Sequence, residues 1–347
     1  MSDVNENPVT DETRHSLGDR IMGWMQPRHE PHSSKKLVHV IANPASGQEQ
    51  PVLKTLNTAF KDADFDWDIF ITKAVGDGKR LAQEAVAAGA AIVAVFGGDG
   101  TVVDVASGLV GGSTPLGILP GGTANQMARA MGIPSDLKAA AELIVSAERS
   151  LHKVYIGQVG EAYFAQMVGI GTEAKIVEGA DRSAKNRFGN WAYTIAALKA
   201  LGDPSQAHYR LELDDGQVVE EDGVTCLIAK TGNLGITPLE QSAHTADPNA
   251  SLMDIVIVRK ADVPTLVSIA TTVTTGGINP DTMPHWQARQ VTVTCDPPQA
   301  ITADGELLGK TPVSCRIITD PVTIIVPPET VDRNEKNDQK STENKTE

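Results

Sequence analysis

Between residues 37 and 147 four short apolar runs, at 37–42, 67–72, 91–96 and 116–119, alternate with alanine-rich segments of helical character. A chain with that rhythm builds parallel strands joined by crossover helices, an open α/β sheet. Past about residue 151 the texture changes. Runs at 153–159 and 162–168 flank Gly160-Glu161, and runs at 209–213 and 217–221 flank Asp214-Asp215-Gly216, which is the composition of tight turns between antiparallel strands. The expected fold class is α/β: an N-terminal open α/β domain over 36–150, then a C-terminal antiparallel β-sandwich-like domain over 151–327. A flexible segment, 1–35, precedes them, and a charged, amide-rich tail, 328–347, is expected to be disordered. Apolar residues at helical spacing predict further helices over 15–25, 188–198 and 263–275.

Chemistry concentrates where the apolar runs of the first half end. Val93-Ala94-Val95-Phe96 leads into Gly97-Gly98-Asp99-Gly100-Thr101 and then a helix-like run. Glycines let a backbone approach phosphate oxygens, and the free N–H groups of a helix start attract anions without a lysine. Asp99 would repel phosphates unless it holds or orients a Mg²⁺ that bridges them. The bland alternative is a tight strand-to-helix turn with Asp99 as its cap; three glycines around one aspartate at a strand's carboxyl end favour a phosphate site. Asn43-Pro44-Ala45-Ser46-Gly47 follows the first run, and Leu119-Pro120-Gly121-Gly122-Thr123-Ala124-Asn125 follows the fourth. Each alone is an ordinary turn. All three belong at one carboxyl edge of a parallel sheet, where open α/β folds bind ligands. Gly169-Ile170-Gly171-Thr172-Glu173-Ala174 imitates a dinucleotide fingerprint, but it sits among hairpin strands without a βαβ unit and is discounted.

Composition narrows the partners. The chain of 347 residues carries a net charge of −14, which argues against broad contact with nucleic acid. Its three cysteines, Cys226, Cys295 and Cys315, lie in apolar strand-like runs without CxxC spacing and read as buried thiols of a reducing cytoplasm. No apolar stretch reaches the roughly 18 residues of a membrane span, so any membrane contact is expected to be peripheral, at the inner face.

In this order and spacing the three loops, with Ala128-Arg129 after the third, resemble the diacylglycerol kinase catalytic-domain family of diacylglycerol, sphingosine and bacterial lipid kinases, over about residues 37–327. The resemblance implies transfer of the γ-phosphoryl of ATP to a lipid hydroxyl. It implies a nucleotide held by Asn43, Pro44, Ser46, Gly47, Thr72, Gly97, Gly98, Asp99, Gly100, Thr101, Gly122, Thr123 and Asn125, with Mg²⁺ as cofactor. Arg129 would be structural. Asp304-Gly305-Glu306, an ordinary hairpin turn on sequence alone, matches the family's other active-site element. Glu306 then becomes the general base, with Asp304 supporting it and Asp99 completing the catalytic set. The resemblance implies a counterpart of the family's structural magnesium loop at 247–252, where Asp247 and the carbonyl of Leu252 would be the remaining ligands because Ala250 and Ser251 replace an aspartate and a glycine; Asp247 equally fits a turn before Pro248. Val103 and Gln126 are further departures, at positions where the family commonly has Asn and Asp. Two other readings stay open: an NAD kinase-like enzyme, which shares the Gly-Gly-Asp-Gly-Thr loop, and a catalytically silent nucleotide or lipid sensor.

Overall fold

Strands and helices alternate from the first described residues onward, as the apolar rhythm requires. The structure, a computed structural model, describes residues 35–46, 51–171, 206–230, 252–260, 262, 265 and 280–328. Apart from Lys35 these lie in one contact unit, Lys36–Glu347. The helices expected at 15–25 and 188–198, nearly all of that at 263–275, and the residues Gly47 and Asp247 fall outside the described residues.

The first sheet contains β1 (Lys36–Ala42), β2 (Phe65–Ile71), β3 (Ile92–Gly97), β4 (Leu116–Pro120), β5 (Ser150–Val154) and β18 (Val322–Val326), in the order β2-β1-β3-β4-β18-β5. β2, β1, β3, β4 and β18 run parallel, and β5 returns antiparallel beside β18. β3 and β4 are buried at every residue, which requires cover on both faces. The helices α1 (Val52–Asp62), α2 (Asp77–Ala87), α3 (Asp99–Ser107), α4 (Gln126–Ala130) and α5 (Leu137–Val145) follow the strands in turn. α1 packs on α5 and α2 on α3. Leu56, Phe60, Ile118 and Ile144 belong to one apolar core with the strands. β2 closes one edge, half exposed and carrying Asp66 and Asp68, charges that discourage edge pairing.

Two antiparallel sheets make up the other half. One holds β6 (Gly157–Val159), β7 (Ala162–Phe164), β9 (Ala207–Leu213), β10 (Val218–Gly223), β14 (Gln290–Asp296) and β17 (Val313–Ile317). Its partner holds β8 (Met167–Gly171), β11 (Thr225–Lys230), β12 (Met253–Val258), β13 (His285–Ala288), β15 (Ala300–Ala303) and β16 (Glu306–Lys310). Phe164, Tyr209, Leu211, Val291 and Cys315 from the first sheet share a buried core with Ile170, Cys226, Ile228, Ile255 and Ile301 from the second, the packing of a β-sandwich. All three cysteines are buried and free, as expected.

Two details differ from the sequence reading. Residues 153–168 do not form one hairpin; they are shared among all three sheets, as the end of β5, the short β6–β7 hairpin and the start of β8. Val154, Tyr155 and Ile156 are all buried, so the chain changes sheets inside an apolar run that offers no turn residue to mark the switch. β18 comes from beyond the β-rich half yet lies between β4 and β5, so the parallel sheet draws on both ends of the folded chain. β8, which holds the first three residues of the imitation fingerprint, pairs antiparallel with β11 and β15, so among the described residues no βαβ unit surrounds it.

Candidate active site

The register of the parallel sheet fixes which loops meet. Ala42 lies opposite Ile71 and Phe96, and Gly97 opposite Pro120. Thr72, Asn43, Gly98 and Gly121 therefore leave their strands at one carboxyl edge. Backbone bonds carry this alignment past the strand ends: Thr72 N–H donates to Ala42 O, Asn43 N–H to Phe96 O and Gly121 N–H to Gly97 O, each at 3.0 Å.

Side chains then lock loop to loop. Asn43 donates from Nδ2 to Thr101 Oγ1 at 2.9 Å, and its Oδ1 accepts from Ala45 N–H at 2.9 Å, so the first loop is tied to the start of α3. Ser46 donates to Asn43 O from both its N–H and its hydroxyl. Asp99 Oδ1 accepts from Met127 N–H at 3.0 Å, joining the glycine loop to α4. Asn125, in the left-handed region at φ 46, closes the third loop by bonding Gly122 N–H and Gly122 O. The conformation suits Asn, whose short polar side chain bonds locally there.

The glycines are needed for approach. A Cβ on Gly122 would lie 2.6 Å from Gly98 Cα, so the glycine loop and the third loop touch backbone to backbone. Gly98 precedes α3 in an extended conformation, and no side chain caps the helix. The orphan N–H groups of its first turn are thus available to an anion. Thr123 is exposed, and Arg129, whose N–H donates to Asn125 O, exposes its side chain.

The β-rich half delivers its carboxylates to the same place. Asp304 and Gly305 form the β15–β16 turn, both with positive φ, 45° and 85°, so the ordinary hairpin reading of Asp-Gly holds and the active-site reading is built upon it. Asp304 accepts three backbone N–H bonds, from Ala165 at 2.7 Å and from Gln166 and Met167 at 3.0 Å each. Burial nevertheless holds its pKa above the usual carboxylate value; the three donors oppose that shift, and the negative charge of nearby Asp99 adds to it. Two residues on, Glu306 sets its carboxylate over α3: a Cβ on Gly100 would stand 3.0 Å from Glu306 Oε1. Asp99, Gly100, Asp304 and Glu306 are therefore one constellation.

Sequence reasoning missed Lys230 and His152. Lys230 ends β11, and burial lowers its ammonium to about 8, with Asp304 opposing the shift. His152 is buried in β5, its pKa lowered by burial and then by Lys230. The available signal was a lysine closing the otherwise apolar run 225–229. No group of three or more His, Cys, Asp or Glu side chains positioned for a metal occurs among the described residues.

Comparison with known proteins gives the constellation its context. Residues 37–159 match the diacylglycerol kinase catalytic domain, and residues 166–326 match the YegS C-terminal NAD kinase beta sandwich-like domain. The chain belongs to the diacylglycerol kinase catalytic-domain family. A diacylglycerol kinase of Bacillus subtilis (strain 168) is 29% identical over 285 residues, covering 80% of this chain and 92% of the relative. One from Staphylococcus saprophyticus is 27% identical over 284 residues, 80% and 91% of the two chains. The crystal structure of a diacylglycerol kinase from Bacillus anthracis str. Sterne, 22% identical, superposes with a TM-score of 0.60 over 86% of this chain and all of that one, a likeness of fold. In this chain the half matched by the catalytic-domain model carries the three loops, and the half matched by the sandwich model carries Asp304 and Glu306. No helix among the described residues is long and apolar enough to cross a membrane.

Proposed function

We propose that this family member transfers the γ-phosphoryl group of ATP to a lipid hydroxyl, with Glu306 as general base. The observation that carries this reading is the Glu306 carboxylate held against Gly100 in the first turn of α3. A proton acceptor there stands beside the helix terminus that would bind the phosphates. The nucleotide lies along Asn43, Ser46, the Gly97-to-Thr101 loop and Thr123. Glu306 takes the proton from the acceptor hydroxyl as its oxygen attacks the γ-phosphorus; the new O–P bond forms as the bond to the β-phosphate bridging oxygen breaks, and ADP leaves. Asp304, fixed by three backbone donors, holds the hairpin so that Glu306 keeps its aim.

Asp99 has one oxygen engaged by Met127 N–H and no partner for the other among the described residues. A single available carboxylate suits Mg²⁺, which binds through one or two carboxylates plus substrate phosphates. Bound there it would neutralise phosphate charge. The acceptor is read as a lipid because the relatives are named diacylglycerol kinases and because Leu307 and Leu308, 51% and 41% exposed, directly follow the base. Such an apolar flank suits an acyl chain at a membrane surface.

The test is transfer of label from γ-labelled ATP and Mg²⁺ to diacylglycerol, a sphingoid base, phosphatidylglycerol or NAD. Label is expected in a lipid, and Glu306→Gln is expected to lower turnover at least 100-fold with the thermal midpoint unchanged. Label in NAD alone would move the assignment to an NAD kinase-like enzyme, and no label with ATP still bound would indicate a sensor.

A further inference from the structure

Lys230 stands at the same end of the sandwich as the proposed base. β11 and β15 both pair with β8, and the two residues of interest bracket its approach. Lys230 N–H donates to Gln166 O at 3.2 Å, and Gln166 N–H donates to Asp304 Oδ1 at 3.0 Å. The lysine side chain is partly buried. Among the described residues its ammonium makes neither a hydrogen bond nor an ion pair.

Its acidic neighbour is no substitute for a counter-ion. Asp304 feels Lys230 electrostatically, but its oxygens are already engaged by three backbone donors. The other ionisable neighbour, His152, is itself suppressed as a cation by burial and by Lys230. A partly buried ammonium without a dedicated anion is costly. The surroundings become sensible when an anion arrives. Asp99, Asp304 and Glu306 make this end of the sandwich acidic where it meets α3, and a phosphoryl group drawn among three carboxylates needs a cation.

We propose that Lys230 Nζ binds the oxygens of a phosphoryl group at this site, neutralising it from the sandwich side. The inference rests on the phosphotransfer reading above. Two sources present the same chemistry, the terminal phosphate of the nucleotide and a phosphate already carried by an acceptor headgroup.

The experiment measures acylation of Lys230 by acetic anhydride at pH 8, read by mass spectrometry against exposed Lys310 in the full chain. Mg·AMP-PNP is expected to slow Lys230 at least tenfold while Mg·ADP does not, which places the γ-phosphoryl group there. Protection by micelles of phosphatidylglycerol and not by diacylglycerol would assign the headgroup phosphate instead, and would equally support the site. No protection by any of these, with wild type still transferring label, overturns the inference and leaves the kinase reading intact. Failure of AMP-PNP to bind at all, seen as an unmoved thermal midpoint, removes both. Kinetics supply the second arm. Lys230→Met is expected to lower kcat at least 100-fold with KM for ATP within threefold and the thermal midpoint no lower, and Lys230→Arg to recover most of that loss. Equal losses in both variants with a lowered midpoint would show a packing role and overturn the proposal.

Discussion

Asp304 serves both the turn and the constellation. Its two oxygens accept from three consecutive backbone N–H groups, and an amide offers only one acceptor oxygen. Asp304→Asn is therefore expected to destabilise the fold by about 1–3 kcal/mol in denaturant unfolding, through donors left unsatisfied, and to slow turnover through the displaced Glu306. Lys230 gives a prediction of opposite sign. Its folded pKa of about 8 lies below the unfolded value of about 10.4. The unfolded chain then holds more protons between those values, and native stability rises with pH across that window. Lys230→Met is expected to raise the thermal midpoint at pH 7 and to raise it less at pH 9.5; Asp304 and His152 are the titrating neighbours to follow. Asp99 was legible from the three glycines around it at a strand's carboxyl end, whereas Glu306 was legible only through the family resemblance, because Asp304-Gly305 on sequence alone is an ordinary hairpin turn. Lys230 was not, because a lysine at the end of a strand ordinarily reaches solvent.

The loops act as one element because their backbones touch. Gly122→Ala would set a methyl 2.6 Å from Gly98 Cα and 3.0 Å from Asn125 Oδ1, and the nearer of the two is backbone that cannot yield as the end of a flexible side chain could. Affinity for AMP-PNP, measured calorimetrically, is expected to fall at least tenfold. A fall smaller than twofold would show that the two loops do not share a ligand. The four strands that present these loops were readable from the apolar rhythm, because a strand buried on both faces and a helix between strands leave distinct patterns. The segment 153–168 was misread for the complementary reason: β5, β6 and β8 are only three to five residues long, too short to carry a distinct pattern, and which sheet each joins is decided by long-range pairing with β18, β17 and β11.

At the scale of the molecule, the sheet that carries the three loops is incomplete without β18. β18 pairs with β4 on one side and β5 on the other, and Val322, Ile324 and Ile325 are buried in the α/β core. A fragment of residues 36–159 is thus expected to lack cooperative thermal unfolding, and addition of a 318–328 peptide in trans is expected to restore it, as followed by circular dichroism. The α/β-then-β order was visible in the sequence. The return of β18 was not, since a five-residue apolar strand looks the same in either half.

That return strand also sets a timetable. Residues 322–326 are among the last described residues to be synthesised, yet they fill the place between β4 and β5 in the sheet begun at residue 36. On a ribosome the α/β half emerges first and waits, with the edges of β4 and β5 open, until residues 322–326 have been made. A chain cut short anywhere in the sandwich lacks this strand, so truncated products would be cleared or aggregate before they could act as fragments carrying the three loops alone.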